Sequence, residues 1–137
     1  MTYIENVFAC IAAPLLVAAL CAGKKQLRPF IFSLAGMLAC LLSAYVNTFF
    51  AAMLDATALD ATAEIAPVVE EVMKFLPLLF YLLVFEPKRE HIKAAVLTIA
   101  VGFATFENIC YLIQHGANEL GFLLIRGFGT GAMHIAC

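Results

Sequence analysis

Residues 63–85 read AEIAPVVEEVMKFLPLLFYLLVF, the segment most informative about how the chain folds. It is long enough to cross a bilayer, because a transmembrane helix needs about 20 predominantly apolar residues. Its middle carries Glu70, Glu71 and Lys74. Ionisable side chains are costly to place in lipid and usually face a partner or a water-filled cavity. The stretch therefore predicts a spanning helix that contributes ionisable groups to an interior site.

The composition of the whole chain points to the same environment. Of its 137 residues, 64% are hydrophobic types and 13% are charged, whereas soluble domains average about 25% charged residues. A soluble domain of this size cannot bury so much apolar surface, which excludes a soluble globular enzyme, and a disordered chain is excluded as well. Only eight Lys and Arg are present, so no nucleic acid partner is expected. The sequence predicts an integral membrane protein surrounded by the lipid bilayer.

Five apolar runs predict an all-α, polytopic transmembrane helix bundle that forms one integral membrane domain over residues 1–137. The predicted spans are residues 4–22, 30–54, 63–85, 94–113 and 120–137. The basic residues of the connectors are Lys24, Lys25 and Arg28 in the first and Lys88, Arg89 and Lys93 in the third. Basic connectors face the cytoplasm, so the N-terminus is expected outside.

Ionisable groups recur in the later predicted spans. At 1.5 Å per residue, Glu70 and Glu71 lie roughly 8–12 Å below the outer end of the third span, and Glu107 lies roughly 10 Å below the outer end of the fourth. The three carboxyls are therefore expected to meet at one level in the outer half of the bilayer, connected to solvent from the outer face. Three adjacent carboxylates in low dielectric need shared protons, Lys74, Arg126 or a metal to balance their charge.

Helical spacing predicts how the third span presents its charges. Glu70 and Lys74 are four residues apart and are expected to pair on one face, while Glu71 is turned by about 100° toward a neighbouring helix. Pro67 and Pro77 bracket the acidic pair. Each proline removes a backbone hydrogen bond, so we expect a kinked helix.

The depth of His134 depends on where the fifth span begins. A span that starts at residue 120 would put His134 roughly 20 Å deep, well below the carboxyls. We therefore expect residues 118–125 to form an interfacial helix and the span to begin near Arg126. His134 and Arg126 then have acidic partners.

Three short motifs carry a family resemblance. Residues 70–74 read EEVMK, residues 103–108 read FATFEN and residues 126–134 read RGFGTGAMH. They resemble the EExxK, FxxxE and His-bearing motifs of the PrsW family of intramembrane proteases, which is related to the CAAX prenyl protease and bacteriocin-processing group. The resemblance covers roughly residues 66–137, with the motifs in the family's order on successive spans.

The resemblance implies a site and a function. The implied catalytic residues are Glu70, Glu71, Glu107 and His134, with Lys74, Asn108 and Arg126 in support. The expected activity is hydrolysis of a peptide bond in a membrane-anchored protein, such as an anti-sigma factor, near its outer juxtamembrane segment, and the expected location is the bacterial plasma membrane. The family has a further His-containing motif on a later span, so we expect this chain to be truncated within or after its last span.

Two mechanisms and two rival functions stay open at the level of sequence. A divalent metal such as zinc could be held by Glu71, Glu107 and His134, or a glutamate could activate water directly. One rival function is a catalytically incomplete bundle that binds hydrophobic peptides. The other is a proton- or ion-coupled transporter, since intramembrane Glu and Lys also build proton relays.

Overall fold

The computed structural model describes residues 4–21, 24–55, 57, 60–115 and 120–136, and the regular structure of these residues is helical throughout. The helices are α1 Ile4–Cys21, α2 Lys24–Met53, α3 Ala66–Phe85, α4 Arg89–His115 and α5 Leu120–Ala136, with a π-helical segment, Ala61–Ile65, directly before α3. The predicted all-α bundle is confirmed. The π-helical segment ends next to Pro67, whose missing N–H cannot complete the regular bonding of the preceding turn.

Within the described ranges, the helices long and apolar enough to cross a membrane are Ile4–Cys21, Leu27–Met53 and Arg89–Gln114. Five spans were predicted, so two of them fall short of these criteria. α3 has the length and is apolar elsewhere, but it carries three charged residues, Glu70, Glu71 and Lys74. α5 has 17 residues, fewer than the roughly 20 that a span needs. α3 packs against α2 and α4, and α5 packs against α4.

Two helices begin earlier than their predicted spans. α2 begins at Lys24 instead of residue 30 and contains Pro29 as its sixth residue, which removes one backbone hydrogen bond near the start of the helix. α4 begins at Arg89 instead of residue 94. α3 stops at Glu86, which has a left-handed backbone with φ 44° and donates its N–H to the Leu82 carbonyl. Pro87 follows, so the reversal between α3 and α4 is tight.

The backbones of α2 and α4 approach each other closely where the two helices cross. A Cβ atom on Gly36 would lie 2.1 Å from the Ile99 carbonyl oxygen, and one on Gly102 would lie 2.2 Å from the Ser33 carbonyl oxygen. Only glycine fits at both positions. Small residues allow this approach of backbones in membrane bundles, and α2 and α4 accordingly share the most extensive helix contact.

The core lies beside this crossing and sets the rotation of α4. Phe103 and Phe106 are fully buried and pack against Met37 of α2. Phe8 of α1 meets the Phe106 ring edge-on, with centroids 5.5 Å apart. Because Phe103 and Phe106 face this core, Glu107, the next residue, is turned about 100° away from Phe106 toward α5.

Candidate intramembrane active site

Lys74 links α3 to α5. Its side chain is 8% exposed, and Nζ lies 2.5 Å from Oε1 of Glu71. The same Nζ lies 2.9 Å from Nδ1 of His134. A lysine ammonium can only donate hydrogen bonds, so Nδ1 of His134 accepts.

His134 in turn contacts Glu107 of α4. Because Nδ1 accepts from Lys74, the neutral imidazole carries its proton on Nε2. Nε2 then donates to Oε2 of Glu107 across 2.7 Å. The imidazole is 1% exposed and packs against the Phe103 ring at a centroid distance of 4.9 Å. Lys74 therefore selects the tautomer that bonds to Glu107.

Arg126 completes the cluster on the other side of Glu107. Its Nη2 donates to Oε1 of Glu107 at 3.1 Å, and its guanidinium carbon lies 3.7 Å from the centroid of the Tyr111 ring. Both oxygens of Glu107 thus accept a hydrogen bond. We call this continuous series of contacts the polar chain, and its members are Glu71, Lys74, His134, Glu107 and Arg126.

Glu70 and Asn108 lie beside the polar chain. Glu70 is half-buried and interacts electrostatically with His134 and Glu107. Within the part of the chain that the structure describes, no hydrogen bond or ion pair to Glu70 is found. The Asn108 side-chain oxygen accepts a hydrogen bond from the Thr130 hydroxyl at 3.0 Å. All seven residues implied by the resemblance therefore lie in or next to one cluster.

Thr130 is a member of this region that the sequence reasoning missed. Its hydroxyl also lies 2.8 Å from the Arg126 carbonyl oxygen. The signal was present in the sequence, because Arg126, Thr130 and His134 recur at intervals of four and share one helix face.

The expected pairing within α3 is wrong. Lys74 pairs with Glu71, three residues away, and not with Glu70. Positions three and four residues apart are both neighbours on a helix surface. Lys74 also reaches His134, and this second contact turns the ammonium toward α5 and Glu71.

The expected interfacial helix and the span after it belong to one helix, and the residue at which the span begins stays a prediction. α5 is continuous from Leu120 to Ala136, and residues 118 and 119 lie outside the described residues. The contact between Asn108 and Thr130 sets the register of α4 and α5. In this register Glu107 is level with about residue 131, and His134 lies only about 4.5 Å deeper. Helical side chains tilt toward the N-terminus, so His134 tilts toward Glu107.

Two clefts flank the polar chain. One of about 280 Å³ is lined by Glu71, Lys74 and His134 among apolar side chains of α3 and α4. The other, of about 320 Å³, is lined by Asn108, Tyr111 and Arg126 among others. Nε of Arg126 is buried and has no hydrogen-bond partner among the described residues. The cluster can therefore be reached from either side and retains an unused donor.

The described donor atoms do not fit a metal ion as they are arranged. No three His, Cys, Asp or Glu side chains in the described ranges come together in a geometry that could hold one. The predicted ligands Glu107 and His134 are at hydrogen-bonding distance, 2.7 Å, whereas donors of two tetrahedral zinc ligands would be roughly 3.3 Å apart. Glu71, the third predicted ligand, is held by Lys74.

The apolar helices and their interior cluster of ionisable groups define an integral membrane protein with an intramembrane polar site. The chain matches the model of the PrsW family intramembrane metalloprotease over residues 9–137. It belongs to this family, which confirms the resemblance, and it is a membrane protease. A membrane-embedded protein substrate follows from this class, and the family's description implies a metal. No curated protein and no solved structure matches the chain.

Proposed function

We propose that this protein cleaves a membrane-anchored protein with the polar chain, Glu70 and Asn108 as its active site. The observation that carries the proposal is the contact of His134 with both Lys74 and Glu107. It joins ionisable side chains of α3, α4 and α5 inside a bundle whose surface is apolar. An ion pair that only stabilised the fold would need two ionisable side chains, whereas this cluster connects five.

Glu70 is the proposed general base. Peptide hydrolysis requires a group that removes a proton from the attacking water. Glu71 and Glu107 are already bonded to Lys74 and Arg126. Glu70 is the remaining carboxylate and lies within electrostatic reach of His134. After it takes the proton from water, Glu70 can pass that proton to the leaving amine.

Arg126 and Asn108 are the proposed oxyanion-stabilising groups. Both line the cleft of about 320 Å³, and the guanidinium of Arg126 carries a permanent positive charge. Hydrogen-bond donors aimed at a developing negative charge lower the barrier most in a site that excludes water. His134 and Glu107 hold Arg126 and Lys74 in place and thereby position the site.

A ligand set of glutamate and histidine suits zinc. We therefore propose zinc as the metal that the family's description implies. In the described arrangement, Lys74 and Arg126 occupy lone pairs of His134 and Glu107 that zinc would need. The steps above therefore use protein groups alone.

We place the scissile bond near the outer juxtamembrane segment of the substrate. Arg28 lies beside His91, so the first and third connectors share one end of the bundle, which the positive-inside rule assigns to the cytoplasm. Glu107 is about 27 Å from Arg89 at that end and about 12 Å from His115 at the other. A single-span anti-sigma factor in a bacterial plasma membrane fits this geometry as a substrate.

Co-expression with a tagged single-span anti-sigma factor tests the proposal. We expect Glu70→Gln to reduce cleavage at least about 100-fold, the lower range for loss of an acid–base group. Glu107→Gln should reduce cleavage as well, because Glu107 positions Arg126 and His134. Glu90→Gln is the matched control, because Glu90 is exposed in the first turn of α4. Cleavage that persists in both site variants excludes this site. If the fragment masses place the cleavage at the cytoplasmic end of the substrate, only the proposed position of the scissile bond is refuted.

A further inference from the structure

A large cavity lies at the basic end of the bundle, away from the polar chain. Its volume is about 740 Å³, and it is enclosed by the start of α2, the second half of α3 and the start of α4. We call it the basic pocket. The lining residues used below are Arg28, Lys88 and His91 at the mouth and Ile31, Phe80 and Phe85 along the wall. No member of the polar chain lines it.

The mouth of the basic pocket offers hydrogen-bond donors to an anion. Nη1 of Arg28 lies 3.5 Å from Nδ1 of His91. Arginine only donates, so Nδ1 of His91 accepts and its Nε2–H points elsewhere as a donor. Lys88 adds an exposed ammonium. Arginine and lysine together suit a phosphate group, through forked donors and a point charge respectively.

The wall of the basic pocket is apolar and uncovered. Ile31 is 48% exposed, and Phe80 and Phe85 are each 63% exposed. Along α3 the wall runs from Phe85 to Pro77, a distance of about 12 Å. One leaflet of a bilayer has a hydrocarbon depth of about 15 Å. Arg28 and Lys88 outnumber the one carboxylate that lines the pocket, Glu86, so the mouth is cationic. A cationic mouth above an apolar wall of this length complements an anionic amphiphile.

We propose that the basic pocket binds one anionic phospholipid, with its phosphate at Arg28, Lys88 and His91 and one acyl chain along Ile31, Phe80 and Phe85. The bound lipid would connect α2, α3 and α4 at the end opposite the active site. The inference is independent of the proposed catalytic roles, since it uses none of their residues.

Lipid binding to the full chain in detergent, followed by native mass spectrometry, tests the proposal. We expect dioleoyl phosphatidylglycerol to bind more tightly than dioleoyl phosphatidylcholine. Arg28→Gln and Lys88→Gln should each weaken phosphatidylglycerol binding about fivefold, the contribution of one basic residue at an anionic lipid surface. Lys93→Gln is the matched control, because Lys93 is exposed near the same end but does not line the pocket.

Two further measurements separate a lipid site from a simple phosphate site. Phe80→Ala should also weaken phosphatidylglycerol binding, and inorganic phosphate at millimolar concentration should not displace the lipid. Lys88 lies between two helices, so Lys88→Gln keeps the helical content and the comparison stays valid. Equal binding of the two lipids, an equal effect of Lys93→Gln, or displacement by inorganic phosphate would each overturn the proposal.

Discussion

Lys74 of α3 and His134 of α5 are joined by a 2.9 Å hydrogen bond across 60 residues of sequence. Among the described residues, α3 and α5 otherwise pack on other helices and hardly on each other. This bond therefore joins α3 to α5 directly, beside the cleft lined by Glu71, Lys74 and His134. Because it also selects the tautomer of His134, one ammonium group both bridges the two helices and directs the Nε2–H of His134 to Glu107.

Replacement of Lys74 by methionine should destabilise the protein. The substitution keeps an unbranched side chain, one atom shorter, but leaves the buried Nδ1 of His134 without a donor, which costs roughly 1–3 kcal/mol. Glu71 adds little to this, because its side chain is 43% exposed and can be hydrated. Thermal unfolding in detergent, followed by circular dichroism, should show a lower Tm. Lys93→Met serves as the exposed control, and an equal Tm for the two variants would contradict the bridging role of Lys74.

Replacement of Gly102 by alanine should push α2 and α4 apart. The new Cβ would meet the Ser33 carbonyl oxygen at 2.2 Å, and such overpacking costs about 1–3 kcal/mol. Gly129→Ala is the matched control, since its Cβ would have nothing within 4 Å and alanine favours the helix by up to about 1 kcal/mol. The two Tm values should shift in opposite directions. A Gly102→Ala variant as stable as wild type would show that the crossing is looser than described.

The zinc content of the purified protein should depend on Lys74. Its ammonium repels a cation and occupies Nδ1 of His134, so purified wild type should hold less zinc per chain than Lys74→Met. Elemental analysis measures zinc per chain in both proteins and in the Glu71→Gln and His134→Ala variants. One zinc per wild-type chain that is lost in His134→Ala would contradict the arrangement described for Lys74.

The site should be open to solvent from the outer face. In a cysteine-free background, a membrane-impermeant quencher added outside should protect Glu70→Cys from a thiol reagent more than the same quencher inside. The reason is the depth of the cluster, which is about 12 Å from one end of α4 and about 27 Å from the other. Thr57→Cys and Lys88→Cys mark the two expected sides. Protection of Glu70→Cys from the inside alone would refute both the access route and the orientation.

The bundle was readable from sequence because a long apolar run has few alternatives to a spanning helix. The membership of the cluster was also readable, since the motifs place Glu107 and His134 on successive helices. The ion-pair partner of Lys74 could not be predicted from the sequence. Glu70 and Glu71 are both within reach on α3, and only the position of His134 on another helix decides between them.

The close crossing was equally hidden. Gly36 and Gly102 look like any other glycine in an apolar run, and their role appears only when two helices meet. The depth of His134 stayed open between two values for a related reason, because it depends on helix register. That register is set by the contact between Asn108 and Thr130, which no local pattern reveals.

The crossing at Gly36 and Gly102 also restricts the path of a substrate. Where the backbones of α2 and α4 touch, no third polypeptide segment can slide between them, so that side of Glu107 is closed. α5 has open space beside it instead, because a Cβ on Gly127, Gly129 or Gly131 would meet nothing within 4 Å among the described residues. A membrane-anchored substrate should therefore approach laterally past Gly127 and Gly131, which lie four residues apart on one face of α5, and an unwound segment with a slim backbone should travel more easily there than an intact helix.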